Sequence, residues 1–221
     1  MQVGAHMSMR ELPADQLCES WRLMQPSSAV LFTTENEDGT FNVAPFSWVR
    51  PASQSPPMIT ASLLRTPRKQ RSLENIERTQ QFVVSVPGLD MAESVAACCQ
   101  KVPEHISKLG VAGLATGPSK CATPPRISGA RAHLECEAAQ LVDTGDHCLV
   151  IARVLAGAYD ETFFTPSLVL RPDRSLPCMH LEQYNRADSQ VHLFLECSAI
   201  RLVEVPYLVP IAELQAAHDT F

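Results

Sequence analysis

Residues 42–49 read NVAPFSWV, a run apolar enough for a β-strand that carries a proline near its middle. Proline gives no N–H to a sheet ladder and is confined to edge strands, strand starts and bulges. Pro45 is therefore tolerable where the backbone faces a ligand instead of a neighbouring strand. On that reading Asn42 and Ser47 are candidate partners for polar ligand groups, and Trp48 is a candidate wall.

Working outward, AVLFTT (29–34) and FNVAPFSW (41–48) read as strands, with the turn ENEDGT between them. An Asp-Gly step between two apolar runs is a hairpin signal. The loop PASQSPP leads to a third strand, MITASL (58–63), and then to a helix over 67–79 with Leu73 and Ile76 facing inward. QFVVSV (81–86) is again a strand. Residues 91–109 suggest two short helices broken at Val102-Pro103, and 110–125 a loop. Two long strands, 131–142 and 147–159, follow around the tight turn DTGD. Leu17, Trp21 and Met24 predict a first helix over 14–24, whereas 193–205 reads as a strand and 211–218 as a closing helix. In the strand 131–142, Ala132, Leu134, Cys136 and Ala138 alternate with Arg131, His133, Glu135 and Glu137. That pattern predicts one buried face and one wet face. At least six strands, mostly joined by short turns, with helices at the periphery, indicate a mainly β, antiparallel barrel. Residues 1–12 read as a disordered or tag-like lead, and 13–221 as one domain.

Composition narrows the function classes. With 45% apolar and 19% charged residues the chain is globular rather than disordered. No apolar run approaches the roughly 20 residues that span a bilayer, and the first residues lack the apolar centre of a signal peptide, so a cytoplasmic protein without membrane contact is expected. A net charge of −6 without a basic tract argues against nucleic acid as a partner. The eight cysteines show no CxxC spacing and read as reduced thiols. The pair Cys98-Cys99 reads as a redox or metalloid site, or more simply as part of a helix in the small-residue run MAESVAACC. His133 and Cys136 fail as a metal pair because they point to opposite faces of one strand, and no metal site is expected. GLATGPSK (113–120) lacks the spacing of a phosphate loop, and GxGxxG, GxSxG and HExxH are absent.

One local anomaly points to an anion. RTPRKQR (65–71) concentrates four basic residues in seven. Thr66 has the chemistry of an N-cap and Pro67 fits a first helical position, which sets Arg68 and Lys69 in a first turn where the dipole favours negative charge. A bound phosphate would reverse that mismatch. A solvated basic face that tolerates it gives the same sequence.

Taken together, NVAPFSW after an Asp-Gly hairpin, PPMITASL, a basic segment opening a helix, ENIERTQQFVVSV and GDHCLVIARV resemble the flavin reductase-like, FMN-binding split-barrel proteins. These include flavoredoxins and the reductase components of two-component flavin monooxygenases. The similarity runs from about residue 27 to 160 and more loosely to 205. It implies a split β-barrel of Greek-key type and a C2 homodimer to whose contacts the C-terminal segment contributes. It implies FMN as cofactor, with FAD as the alternative, and NADH or NADPH as donor. Asn42, Ala44, Pro45, Phe46, Ser47 and Trp48 would lie along the isoalloxazine ring, and Ala61, Ser62 and Leu63 beside the ribityl chain. Arg65, Lys69, Arg71 and Ser72 would hold the phosphate, and His147 would approach the flavin and nicotinamide. Two departures stand out. Lys69-Gln70-Arg71 replaces the Lys-Asp-Thr of many members, and Ala152 replaces a common glycine, where its methyl would narrow the pocket.

The resemblance thus implies an oxidoreductase that passes hydride from NAD(P)H to flavin, with no catalytic acid or base of its own and a monooxygenase as possible partner. An electron carrier of the flavoredoxin type, and a non-enzymatic relative that no longer holds FMN, are the other readings.

Overall fold

The computed structural model describes residues 9–24, 26–99, 106–171 and 173–179, and the backbone of 194–196. Its main sheet is built from β1 (Val30–Glu35), β2 (Phe41–Phe46), β3 (Val49–Ser53), β4 (Met58–Leu64), β5 (Gln81–Val86), β6 (Ala132–Thr144) and β7 (His147–Tyr159). These seven strands are antiparallel and run in the order β2-β1-β5-β6-β7-β4-β3. The two edge strands, β2 and β3, are consecutive in the chain and are joined only by Ser47 and Trp48. Three Cα steps reach roughly 11 Å, so the sheet must roll until its edges approach each other. The result is a barrel split at residues 47–48, the stretch whose proline marked it as an edge.

Local chemistry explains the hairpins. Between β1 and β2, Asp38 Oδ1 accepts from Thr40 N–H at 3.0 Å and from the Thr40 hydroxyl at 2.6 Å, while Gly39 takes a φ of +79°. Between β6 and β7 the loop is Gly145-Asp146, with Gly145 at φ +74°. Register shifts next to Ala152 and Ala156 bend β6 and β7, as bulges do at barrel corners.

The connection from β4 to β5 skips β6 and β7, a Greek-key crossing, and contains the helix α1 (Arg71–Thr79). Leu73 and Ile76 drop from α1 into the barrel core. There they join Phe32, Phe46 and Phe82, whose ring centroids lie 4.7 and 4.9 Å from Phe32. A second cluster, on the outer face of β1 and β2, packs Leu31 and Val43 against α2 (Ala92–Cys98) and α3 (Lys108–Val111). Phe32 is fully buried at the centre of the aromatic group. Phe32→Ala is expected to cost about 3–5 kcal/mol, the usual range for a buried aromatic truncated to alanine, read as a lower urea midpoint at unchanged slope.

Several expectations need correction. The helix starts at Arg71, not Pro67, and its N-cap is Gln70 in extended conformation. Residues 65–70 are diverted into a loop: Arg65 and Thr66 N–H donate to the Asp146 carbonyl, and Gln70 exchanges two hydrogen bonds with Leu64. Residues 49–53 form an edge strand with Pro51 inside it instead of a loop. Residues 14–24 form 3-10 turns with no buried residue, and Leu17 and Met24 are 56% and 79% exposed. In β6, Glu135 is fully buried although alternation put it on the wet face. Ala152 lies in the barrel core away from the cavity described below, so its methyl does not narrow that cavity. The break at Val102-Pro103, the closing helix, most of the strand 193–205 and residues 1–8 fall outside the described residues. Among the described residues no helix is long and apolar enough to cross a membrane.

Candidate functional site

A cavity of about 660 Å³ opens at the split, within the roughly 300–1,000 Å³ of ligand sites. One wall is the strand edge itself: Asn42, Ala44, Pro45, Phe46, Ser47 and Trp48, with Ser62 and Leu64 from β4. The start of α1 adds Gln70, Arg71 and Ser72. The end of α2 adds Cys98 and Cys99, and the start of α3 adds Lys108. Asp146 and His147 come from the β6–β7 turn, and Cys18 and Trp21 from the N-terminal 3-10 segment.

The cavity has two unlike ends. At one, Trp48 stacks on His147 with centroids 4.9 Å apart and planes at 26°, and Trp21 meets Trp48 edge-on at 5.6 Å. His147 Nδ1 lies 2.8 Å from Asp146 Oδ1, and this hydrogen bond holds the Asp146 carboxyl below the usual carboxylate range. At the other end stand Arg71 and Lys108. Lys108 is half-buried, its ammonium donating to the Cys98 carbonyl at 3.4 Å. Burial lowers its pKa, and the nearby Arg71 charge pushes the same way. Among the described residues no carboxylate lies within ion-pair distance of Lys108. A polar network ties this end to the barrel: Asn42 donates to Ser72 Oγ at 3.0 Å, and Asn75 to Thr34 Oγ1 at 3.0 Å and to Asn36 Oδ1 at 2.9 Å.

Of the fourteen residues singled out in the sequence, ten line this cavity: Asn42, Ala44, Pro45, Phe46, Ser47, Trp48, Ser62, Arg71, Ser72 and His147. The other four lie elsewhere. Ala61 and Leu63 are core residues of the barrel. Arg65 pairs with Asp143 at 3.2 Å, and Lys69 pairs with Glu77 at 2.7 Å. Lys108, Trp21, Cys18 and the Cys98-Cys99 pair were not singled out as cavity residues. Lys108 carries no local signal, since it reaches the cavity through the packing of α2 and α3 on β2. Trp21, an aromatic in an otherwise exposed segment, was the only available hint for its neighbourhood.

The molecule is thus a split antiparallel barrel with a cavity at its open edge, whose walls carry both aromatic and cationic side chains. The chain belongs to the flavin reductase-like family, whose domain it matches over residues 23–175. An uncharacterized protein of Pyrococcus abyssi is 34% identical over 147 residues, 66% of this chain and 81% of that protein. Among solved structures, 2-nitrobenzoate 2-nitroreductase of Pseudomonas fluorescens superposes with a TM-score of 0.72 at 21% identity, over 91% of this chain and 98% of its own. Nitrilotriacetate monooxygenase component B of Bacillus cereus gives 0.69 at 18%, over 86% and 96%. Flavoredoxin of Desulfovibrio vulgaris gives 0.61 at 16%, over 77% and 87%. At these identities the likeness is one of fold, and the family implies a flavin and a nicotinamide donor.

Proposed function

We propose that the protein binds FMN in this cavity and reduces it with hydride from NADH or NADPH. The observation that carries the reading is the meeting of Arg71 and Lys108 with Ser72 at the start of α1. All three line the cavity, and a phosphate held there would take charge-assisted hydrogen bonds from them at a helix N-terminus. The donors present fit a phosphate, and the aromatic end fits a flat ring system. Bound there, FMN would supply hydride acceptance, the chemistry that side chains lack.

The chain's own residues then position and shield. Backbone groups from Ala44 to Ser47 on the outer edge of β2, the side away from its one neighbour β1, would meet the polar ring edge. Ser62 and Ser72 offer hydroxyls along the way to the phosphate. Trp48, Trp21 and His147 exclude water from the ring end. With its Nδ1–H donated to Asp146, His147 keeps Nε2 as an acceptor for the nicotinamide carboxamide. No residue is required to give or take a proton.

The assembly proposed is a homodimer in the cytoplasm that hands reduced flavin to a monooxygenase. The exposed apolar side chains Leu155, Tyr159, Leu168 and Val169 support a partner surface, and the likeness to monooxygenase component B supports the flavin transfer.

The visible spectrum of the protein with FMN, recorded anaerobically before and after NADH or NADPH, tests the reaction. Bleaching of the flavin band by either donor is the expected result. A bound flavin inert to both would turn the reading toward an electron carrier, and the absence of any quenching of FMN fluorescence would overturn it.

A further inference from the structure

Residues 14–24 contribute Cys18 and Trp21 to the cavity wall, yet little ties them to the barrel. None of the 11 residues is buried, and Leu17, Leu23 and Met24 are all exposed. The segment is 3-10 throughout, and 3-10 runs longer than about three or four residues are uncommon because their hydrogen bonds are poorly aligned. Its side-chain hydrogen bonds are internal: the Cys18 thiol donates to the Asp15 carbonyl, and Arg22 pairs with Glu19. Among the described residues no hydrogen bond or ion pair joins it to the barrel. A segment with so little burial opens locally at small cost. Its one ring contact with the barrel, among the described residues, is made by Trp21. That ring meets Trp48 edge-on at 5.6 Å, with the Arg22 guanidinium 5.0 Å over it. Trp48 belongs to the fixed side. His147 stacks on its ring, and its carbonyl accepts from Ser62 N–H at 3.0 Å.

We propose that residues 14–24 form a displaceable cover on the Trp48 side of the cavity, pinned by the Trp21 ring, and that flavin enters and leaves through its release. Closed, the cover keeps Trp21 and Cys18 in the cavity wall. Its release breaks one edge-to-face contact and carries no buried side chain into water, because the segment has none. A gate differs kinetically from a plain ligand contact. Weakening a gate speeds association and dissociation together and leaves affinity nearly as it was. Losing a contact made only in the complex speeds dissociation alone and weakens affinity by the same factor. The passage of flavin rests on the flavin reading above, whereas the pinning by Trp21 does not.

Trp21→Ala and Trp21→Phe, each in the full chain, test both parts. The chain has 2 tryptophans, so either variant leaves Trp48 as the sole indole fluorophore. Without flavin, acrylamide should quench Trp48 more strongly in Trp21→Ala than in Trp21→Phe, whose ring keeps an edge contact. Equal quenching would overturn the pin. With FMN, stopped-flow fluorescence should show association and dissociation both faster in Trp21→Ala by roughly two- to tenfold, the factor that an aromatic pair supplies. The dissociation constant should move far less than either rate, and Trp21→Phe should restore most of both. Faster dissociation with unaltered association would make Trp21 a ligand contact and overturn the gate, as would two unaltered rates. If the unaltered protein takes no FMN, the flavin reading fails and the passage fails with it, while the quenching of Trp48 still decides the cover.

Discussion

Lys108→Ala is expected to weaken FMN binding about ten- to a hundredfold, and Arg71→Ala comparably, while Lys69→Ala changes it less than about twofold. A hydrogen bond from a charged donor contributes about 1.5–3 kcal/mol, and each 1.4 kcal/mol is close to a factor of ten in affinity. Lys108 sits at the upper part of that range because it is half-buried and its charge is already costly without the ligand. Lys69 differs in every respect that matters. It is paired to Glu77 through both carboxylate oxygens, at 2.7 and 3.0 Å, and does not line the cavity. Titration by quenching of FMN fluorescence, at fixed ionic strength, separates the three variants. Riboflavin, which lacks the phosphate, should bind Lys108→Ala and the unaltered protein alike. If Lys69→Ala proved as damaging as Lys108→Ala, the phosphate would belong on the loop 65–70 and not between α1 and α3.

The contrast between Lys69 and Lys108 marks how far sequence reading reached. The basic segment 65–71 was legible as a helix start in search of an anion, but its cations do not act alike once folded. Arg65 and Lys69 are claimed by Asp143 and Glu77, carboxylates remote in the chain or on another turn of helix. Arg71 lines the cavity as the first residue of the helix, which begins four residues later than Pro67 suggests. That delay comes from hydrogen bonds between residues 65–70 and the ends of β4 and the β6–β7 turn, and nothing in a local window encodes it. Pro45, by contrast, was decisive, because a missing N–H is a property of the residue and not of its neighbours. The strand edge from Asn42 to Trp48 therefore lay open to reading. The opposite wall, made by α2, α3 and the 3-10 segment, came from long-range packing and did not.

Glu135→Ala is expected to cost about 3–5 kcal/mol, the range for removing one partner of a buried ion pair. Alternation along β6 put this carboxylate in water, yet its exposure is 0%. The reason lies in the loop before Arg126, which folds over that face of the sheet. Glu135 accepts from Lys120 N–H at 2.8 Å and Ala122 N–H at 3.1 Å, from Cys121 N–H, and from Arg126 Nε at 2.8 Å. Burial pushes its pKa up, but these donors outweigh burial and hold it below the ordinary 4.5. The sign of the linkage follows. A depressed carboxylate stabilises the fold fully above the unfolded value, and this contribution is lost as pH falls through the folded value. Urea midpoints should therefore decline below pH 4.5 in the unaltered protein and decline less steeply in Glu135→Gln. The glutamine variant keeps the volume but turns N–H groups toward N–H donors, so at neutral pH it should be destabilised nearly as much as alanine. A loss under about 1 kcal/mol for either variant would fall within the range of an exposed pair, and the loop 119–125 would then need another anchor. The effect should not reach the cavity, whose walls contain neither Glu135 nor Arg126. FMN affinity measured well below the unfolding midpoint should match that of the unaltered protein, which separates this clamp from the charges that face the ligand.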